Sequence, residues 1–177
     1  MALSISAVIP TRGDVDLSRI VENLRRFPEV REIIFEIGDT TLNRYRGAGK
    51  ALHEIIYTQD DDYVTDLRPI VDAYRPGMIV NAMTESHQAG YLEDETLLGF
   101  GSIFDKALLS VLDGWGEDAL FLREADRVFA TLNRHFTVFP KIEVMPWAHN
   151  FNRLCFQPEH GSSHVAIRKR INAHRSN

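Results

Sequence analysis

Residues 55–64 read IIYTQDDDYV. Ile55, Ile56 and Tyr57 form a short apolar run of the β-branched and aromatic kind that makes a buried strand. Three consecutive carboxylates follow, Asp60, Asp61 and Asp62. In open α/β sheets, ligands bind just beyond the carboxyl ends of the strands. Three acids packed there repel one another unless a cation offsets them. Mg²⁺ or Mn²⁺ commonly joins one or two carboxylates to a substrate's phosphates. The triplet therefore suggests a metal-assisted nucleotide site, and the plain alternative is a solvated acidic turn. An EF-hand loop is excluded. Counted from Asp60, the sixth position is Thr65 where glycine is needed, and the twelfth is Val71 where glutamate is needed.

The sequence upstream supports the site reading. Residues 5–10, ISAVIP, read as a first strand, and Thr11, Arg12, Gly13 and Asp14 as a turn. Ile20, Val21, Leu24 and Phe27 recur at helical spacing until Pro28 stops the pattern. Residues 33–37 read as a second strand with Gly38 and Asp39 as its turn, residues 45–53 as a short helix, and residues 54–58 as the third strand. This is a βαβαβ pattern that closes on the acids, and it predicts a parallel sheet in a nucleotide-binding half.

Downstream, residues 67–74 read as a helix and 78–82 as a fourth strand. Residues 100–104 read as a short strand, 106–112 as helical, and 118–129 as a strong amphipathic helix. Short strands are expected at 137–138 and 142–144. No repeat or linker divides the chain. One domain over residues 1–177 is expected, with a nucleotide half to about residue 82 and an acceptor or catalytic half after it.

The 177 residues are enough for a sizeable core, and 44% hydrophobic with 25% charged residues is an ordinary globular balance. A net charge of −5 argues against coating nucleic acid through overall charge. The segment from His164 onward carries Arg168, Lys169, Arg170 and Arg175 and no acid, which reads as a solvated helix face or a local phosphate contact. The single cysteine, Cys155, allows no intrachain disulfide and fits a reducing compartment. With no signal peptide pattern and no apolar run of membrane-spanning length, a cytoplasmic protein without membrane attachment is expected.

Gly99, Gly101 and Ser102 lie in LLGFGSIF. This GxG lacks the third glycine of a dinucleotide fingerprint, and reads either as close backbone approach to a ligand or as a tight bend. His160 and His164 have the i, i+4 spacing of a helical metal pair, but Gly161, Ser162 and Ser163 between them argue against a continuous helix.

Five segments in order resemble glycosyltransferases of the GT-A fold, family-2-like: AVIPTRGDVDLSRIVENL, NRYRGAGKALHEIIYTQDDDYV, NAMTESHQAGYLEDETLLGFGSIFDKALL, WGEDALFLREADRVF and FQPEHGSSHVAIRKR. The compact length is similar to that of bacteriophage-encoded members, some of which glycosylate modified pyrimidines in phage DNA. The resemblance implies a single-domain, Rossmann-like α/β fold whose mostly parallel central sheet is flanked by helices. It also implies a nucleotide-sugar donor, UDP-sugar favoured, and Mn²⁺ or Mg²⁺ as cofactor.

On that resemblance Pro10, Thr11 and Arg12 hold the base and ribose, with Arg44, Tyr45, Asp60 and Asp61 near the nucleotide. Asp62, Asp60 and His160 would hold the metal, with His164 as substitute. Asp118 would be the general base of an inverting displacement, with Glu117 as fallback. Gly101, Ser102, Trp115, His149 and Arg153 would line the donor-sugar and acceptor pocket, and Arg153 and Arg168 would assist the leaving diphosphate. A nucleotidyltransferase, or a non-catalytic module that binds nucleotide or nucleic acid, is the alternative. Against the former, no glycine-rich loop with lysine follows the first strand.

Overall fold

The structure is a computed structural model that describes residues 3–88, 96–149 and 160–176. The expected βαβαβ unit is present as β1 (Ile5–Thr11), α1 (Ser18–Arg25), β2 (Val30–Ile37), α2 (Leu42–Lys50) and β3 (Ile55–Thr58). It continues through β4 (Tyr63–Thr65), α3 (Arg68–Ala73), β5 (Ile79–Ala82) and α4 (Glu85–Gln88). Next come β6 (Ser102–Asp105), a 3₁₀ stretch (Lys106–Leu112), α5 (Ala119–Leu132), β7 (His135–Val138) and β8 (Ile142–Val144). A second 3₁₀ turn (Pro146–His149) precedes α6 (His160–Arg175).

Six strands form one sheet in the order β2-β1-β3-β6-β5-β7. The β1–β2, β1–β3 and β5–β7 pairs are parallel, and β6 runs antiparallel to both of its neighbours. Because β6 comes from the second half of the chain and lies between β3 and β5 of the first, the two halves share one sheet. Strand alternation feeds two cores. Val8, Ile56, Phe104 and Ile79 point toward α2, α5 and α6, whereas Ile9, Tyr57, Ile103 and Val80 point toward α1 and α3. Burial on both faces is why ISAVI and IIY read as continuous apolar runs rather than alternating ones.

A second, two-stranded sheet pairs β4 with β8. It clamps the chain just after the acidic triplet. The Asp62 carbonyl accepts from Met145 N at 2.8 Å, and the Asp61 carbonyl from Trp147 Nε1 at 2.9 Å. The C-terminal helix departs from expectation. It runs unbroken from His160 through Gly161, Ser162 and Ser163. One helical glycine costs about 1 kcal/mol. Against this, Ile167 and Ile171 are fully buried against α5, and Ser163 Oγ donates to Glu124.

Candidate functional site

The parallel strands β2, β1 and β3 all end on one side of the sheet, and antiparallel β6 begins there, with Thr58 opposite Ser102. At this edge opens a cleft of about 900 Å³. Residues 10–12 line it at the end of β1, residues 38–41 after β2, and residues 60–63 after β3. Leu98, Gly99 and Phe100 line it before β6, and Leu122, Arg123, Glu124, Asp126 and Arg127 line it from α5, with His164 from α6. The crevice sits where an open α/β sheet places its ligands.

The turn after β1 is tied in place. Thr11 Oγ1 accepts from Gly13 N at 3.0 Å, where Gly13 takes a positive φ of 78°. The Thr11 carbonyl accepts from Gly38 N at 2.9 Å, joining the β1 and β2 turns. Arg12 reaches along the cleft and pairs with Asp14 at 2.9 Å.

Arg44 is the buried hub of the floor, with its side chain 2% exposed. Its Nε and Nη2 donate to the two carboxylate oxygens of Asp126 at 3.0 and 3.1 Å, a bidentate fork. Nη2 also donates to Asp60 at 2.6 Å, and Nη1 to Thr58 Oγ1 at 3.0 Å. Burial opposes the guanidinium charge, but Asp126 and Asp60 more than offset it, so Arg44 stays protonated. Asp60 can sit there only because its neighbour is a glycine. A β-carbon on Gly99 would fall 2.2 Å from Asp60 Oδ2. The Gly99 carbonyl also accepts from Asp60 N at 2.8 Å.

Asp60 is paired with the Arg44 guanidinium through Oδ1, so as a metal ligand it would share its carboxylate with that pair. Asp61 and Asp62 are buried, at 1% and 6% exposure, in the cleft wall. Two hard carboxylates fit Mg²⁺ or Mn²⁺ if phosphate oxygens and water complete the shell, the usual habit of Mg²⁺ sites. Among the described residues no three His, Cys, Asp or Glu side chains gather closely enough to hold an ion alone.

The opposite wall is α5, which is kinked at Glu124 (φ −114°, ψ 16°). The cause is the Thr41 hydroxyl, which inserts into the helical ladder. It accepts from Ala125 N at 3.1 Å and is 3.2 and 3.0 Å from the Leu122 and Arg123 carbonyls. Glu124 is 4% exposed. It accepts from Ser163 Oγ, and lies 3.4 Å from Arg127 Nε and 3.6 Å from His164 Nε2. Burial raises its pKa, opposed by Ser163 and Arg127.

Several sequence candidates lie elsewhere. Asp118 caps α5, accepting from Phe121 N at 2.9 Å, and pairs with Arg170 at 2.5 Å. Both contacts lower its pKa, the backbone bond first. It does not line the cleft, whose α5 wall begins at Ala119. Glu117 turns outward to Arg46 at 2.8 Å. Trp115 is core: Nε1 donates to the Val111 carbonyl at 3.0 Å and the ring stacks on Phe121. Tyr45 packs on Phe129 and its hydroxyl donates to Asp126 at 2.8 Å, bracing the hub from behind. Gly101 and Ser102 shape β6 rather than the cleft. Gly101 takes φ 131°, and Ser102 is fully buried with Oγ donating to the Leu98 carbonyl at 3.3 Å. Arg153 and the side chains of His149 and His160 lie outside the described residues.

The structure adds cleft residues to which sequence reading gave no role, Asp39, Thr41, Glu124, Asp126 and His87, and it places Gly99 of the GxG segment in the cleft. Two carried a signal. Asp39 follows the end of β2 just as the triplet follows β3. Glu124 occupies an apolar-stripe position of α5, between Phe121 and Val128 at helical spacing, where a charge is out of place unless it has a task.

No protein-family model matches the chain, and no curated protein matches its sequence. Solved structures do resemble its fold. Protein A197 from STIV matches at a TM-score of 0.56 and 13% identity, over 81% of this chain and 86% of that one. The 4-diphosphocytidyl-2C-methyl-D-erythritol synthase from Anaerococcus prevotii matches at 0.53 and 15% identity, over 95% and 100%. The catalytic domain of Drosophila β1,4-galactosyltransferase 7 matches at 0.48 and 13% identity, over 76% and 64%. At such identities a match shows fold alone. The chain has a Rossmann-like α/β fold with a six-stranded, mostly parallel central sheet flanked by helices. Among the described residues no helix is long and apolar enough to cross a membrane.

Proposed function

We propose that this protein is a nucleotide-dependent transferase that moves a sugar from a nucleotide-sugar donor, UDP-sugar favoured, to an acceptor hydroxyl. The observation that carries the reading is convergence. The β1 turn with Arg12, the acids after β3 and the Arg44 hub all meet in one cleft at the sheet's ligand-binding edge. The nucleotide would lie across the ends of β1 and β2, with Pro10, Thr11 and Asp39 at base and ribose. Arg12 would face the phosphates, because guanidinium forks suit phosphate oxygens. Asp61 and Asp62 would hold Mg²⁺ or Mn²⁺ shared with the diphosphate, and a metal there supplies Lewis-acid stabilisation of the leaving group's charge. Arg44 keeps Asp60 and Asp126 fixed, so the floor needs no rearrangement as charge develops. Attack from the α5 side, opposite the diphosphate, gives inversion. A hydroxymethyl-pyrimidine in phage DNA belongs among the acceptors to be tried.

A nucleotidyltransferase is the second reading, favoured by the fold match that spans the whole length of the Anaerococcus synthase. The two are separated by product analysis with Mn²⁺. Release of a nucleoside diphosphate from a sugar nucleotide supports sugar transfer. Release of pyrophosphate from a nucleoside triphosphate with a sugar phosphate supports the alternative.

A further inference from the structure

Asp118, the base implied by resemblance, caps α5, pairs with Arg170 and is not among the residues that line the cleft, whereas Glu124 is. The groups that face Glu124 form a built pocket between α5 and α6: Arg127 and Arg123 on its own helix, and Ser163 and His164 across from it. The same wall carries Thr131, two helical turns along, 9% exposed with a hydroxyl that has no hydrogen-bond partner. A buried hydroxyl without a partner calls for an explanation, and this one belongs to a residue that lines the cleft.

From the kink, the burial and this polar lining, we infer that the α5–α6 wall is the acceptor subsite, that its ligand is a polyhydroxylated alcohol of sugar type, and that Glu124 is the catalytic base. This rests on the sugar-transfer reading. The Glu124 carboxylate takes the proton of the acceptor O–H as that oxygen bonds to the anomeric carbon. The anomeric C–O bond to the diphosphate breaks, and its electron pair leaves with the diphosphate. Thr131 and Arg127 hydrogen-bond the acceptor's other hydroxyls. His164, within reach of Glu124, passes the proton on to water. Burial raises the pKa of Glu124 above the ordinary glutamate value, which makes its carboxylate a stronger base. It also means that the ionised side chain weakens the fold.

The test uses the full chain and whichever sugar nucleotide the wild type hydrolyses fastest with Mn²⁺, chosen from UDP-, GDP- and CMP-sugars, with water as acceptor. Glu124→Gln keeps the hydrogen bond from Ser163. It should lose turnover by about 10²–10⁴-fold, the usual contribution of general base catalysis, with the donor's KM changed little. The variant should also abolish the acidic limb of the rate–pH profile and melt no lower than wild type at pH 7. Thr131→Val should raise the KM for glycerol or free glucose as acceptor, and an unchanged acceptor KM would remove Thr131 from the subsite. Loss of turnover in Asp118→Asn with Glu124→Gln active would overturn the inference and leave the sugar-transfer reading standing. A wild type that neither binds nor hydrolyses any sugar nucleotide overturns both.

Discussion

Replacing Arg44 by methionine removes the guanidinium and keeps the apolar stem. It strips one charged partner from Asp60 and three hydrogen bonds from the Asp126 and Thr58 side chains. Breaking a fully buried ion pair by deleting one partner costs about 3–5 kcal/mol. Here Arg44 is 2% exposed, but Asp60 and Asp126 are 38% and 26% exposed, so solvent shares the load and the lower end, about 3 kcal/mol, applies. For a chain of this size about 1 kcal/mol moves Tm by about 2–4 °C, giving a fall of about 6–12 °C. The loss should depend on pH. Burial and the charge of Asp60 push the Asp126 carboxyl up, and Arg44 pulls it back. Without Arg44, the folded-state pKa of Asp126 rises further above its unfolded value. Folding then takes up a proton, and the variant gains stability relative to wild type as pH falls from 7 toward the ordinary aspartate range. Urea unfolding at pH 7 and pH 5 measures this, with Arg44→Met/Asp126→Asn expected to recover part of the loss. A penalty under 1 kcal/mol, or one that grows on acidification, would refute the reading of Arg44 as the charge hub.

Gly99→Ala drives a β-carbon into Asp60 Oδ2, so nucleotide binding should weaken at least tenfold while the sheet still forms; calorimetric titration with UDP and Mn²⁺ reads it. Thr41→Val removes the hydroxyl that kinks α5, and turnover should fall as Glu124 is displaced; steady-state kinetics beside a melting curve separates this from unfolding. Glu124→Gln should stabilise the fold at neutral pH. A carboxyl with a raised folded-state pKa loses stability as pH climbs through the window above the ordinary glutamate value, and the amide has no such cost. Asp118→Ala loses a helix cap and an exposed ion pair, about 1 kcal/mol by denaturant unfolding, and should retain most turnover.

The parts of the fold legible in sequence are those set by local pattern. β1 and β3 are buried on both faces, so their apolar runs and the acids that end β3 announced the crevice directly. Of the two three-residue strands, β8 is legible at 142–144 but β4 leaves no periodicity to read, and their pairing depends on segments some 80 residues apart. The antiparallel sense of β6 decides that Gly99 meets Asp60, and no local feature encodes strand direction. An aspartate at a helix start satisfies free N–H groups whatever else it does, and in Asp118 that structural use prevails. The place of Glu124 in the apolar stripe of α5 is legible, but its setting is not, because that comes from a hydroxyl on the β2–α2 turn and two residues of α6. The α6 helix itself defied its Gly-Ser-Ser opening because tertiary burial of Ile167 and Ile171 outweighs local propensity.

The most direct test of the central claim is a thermal-shift series with UDP, GDP, CMP and their sugar conjugates, each with and without Mn²⁺, on wild type, Arg12→Ala and Asp62→Ala. A ligand at a hundredfold excess over its dissociation constant stabilises the fold by about 2.7 kcal/mol, or about 5–11 °C here. The account predicts a metal-dependent rise with one nucleotide class that shrinks in Arg12→Ala and vanishes in Asp62→Ala. No rise with any nucleotide, or one indifferent to both substitutions, would contradict a nucleotide site at the strand ends.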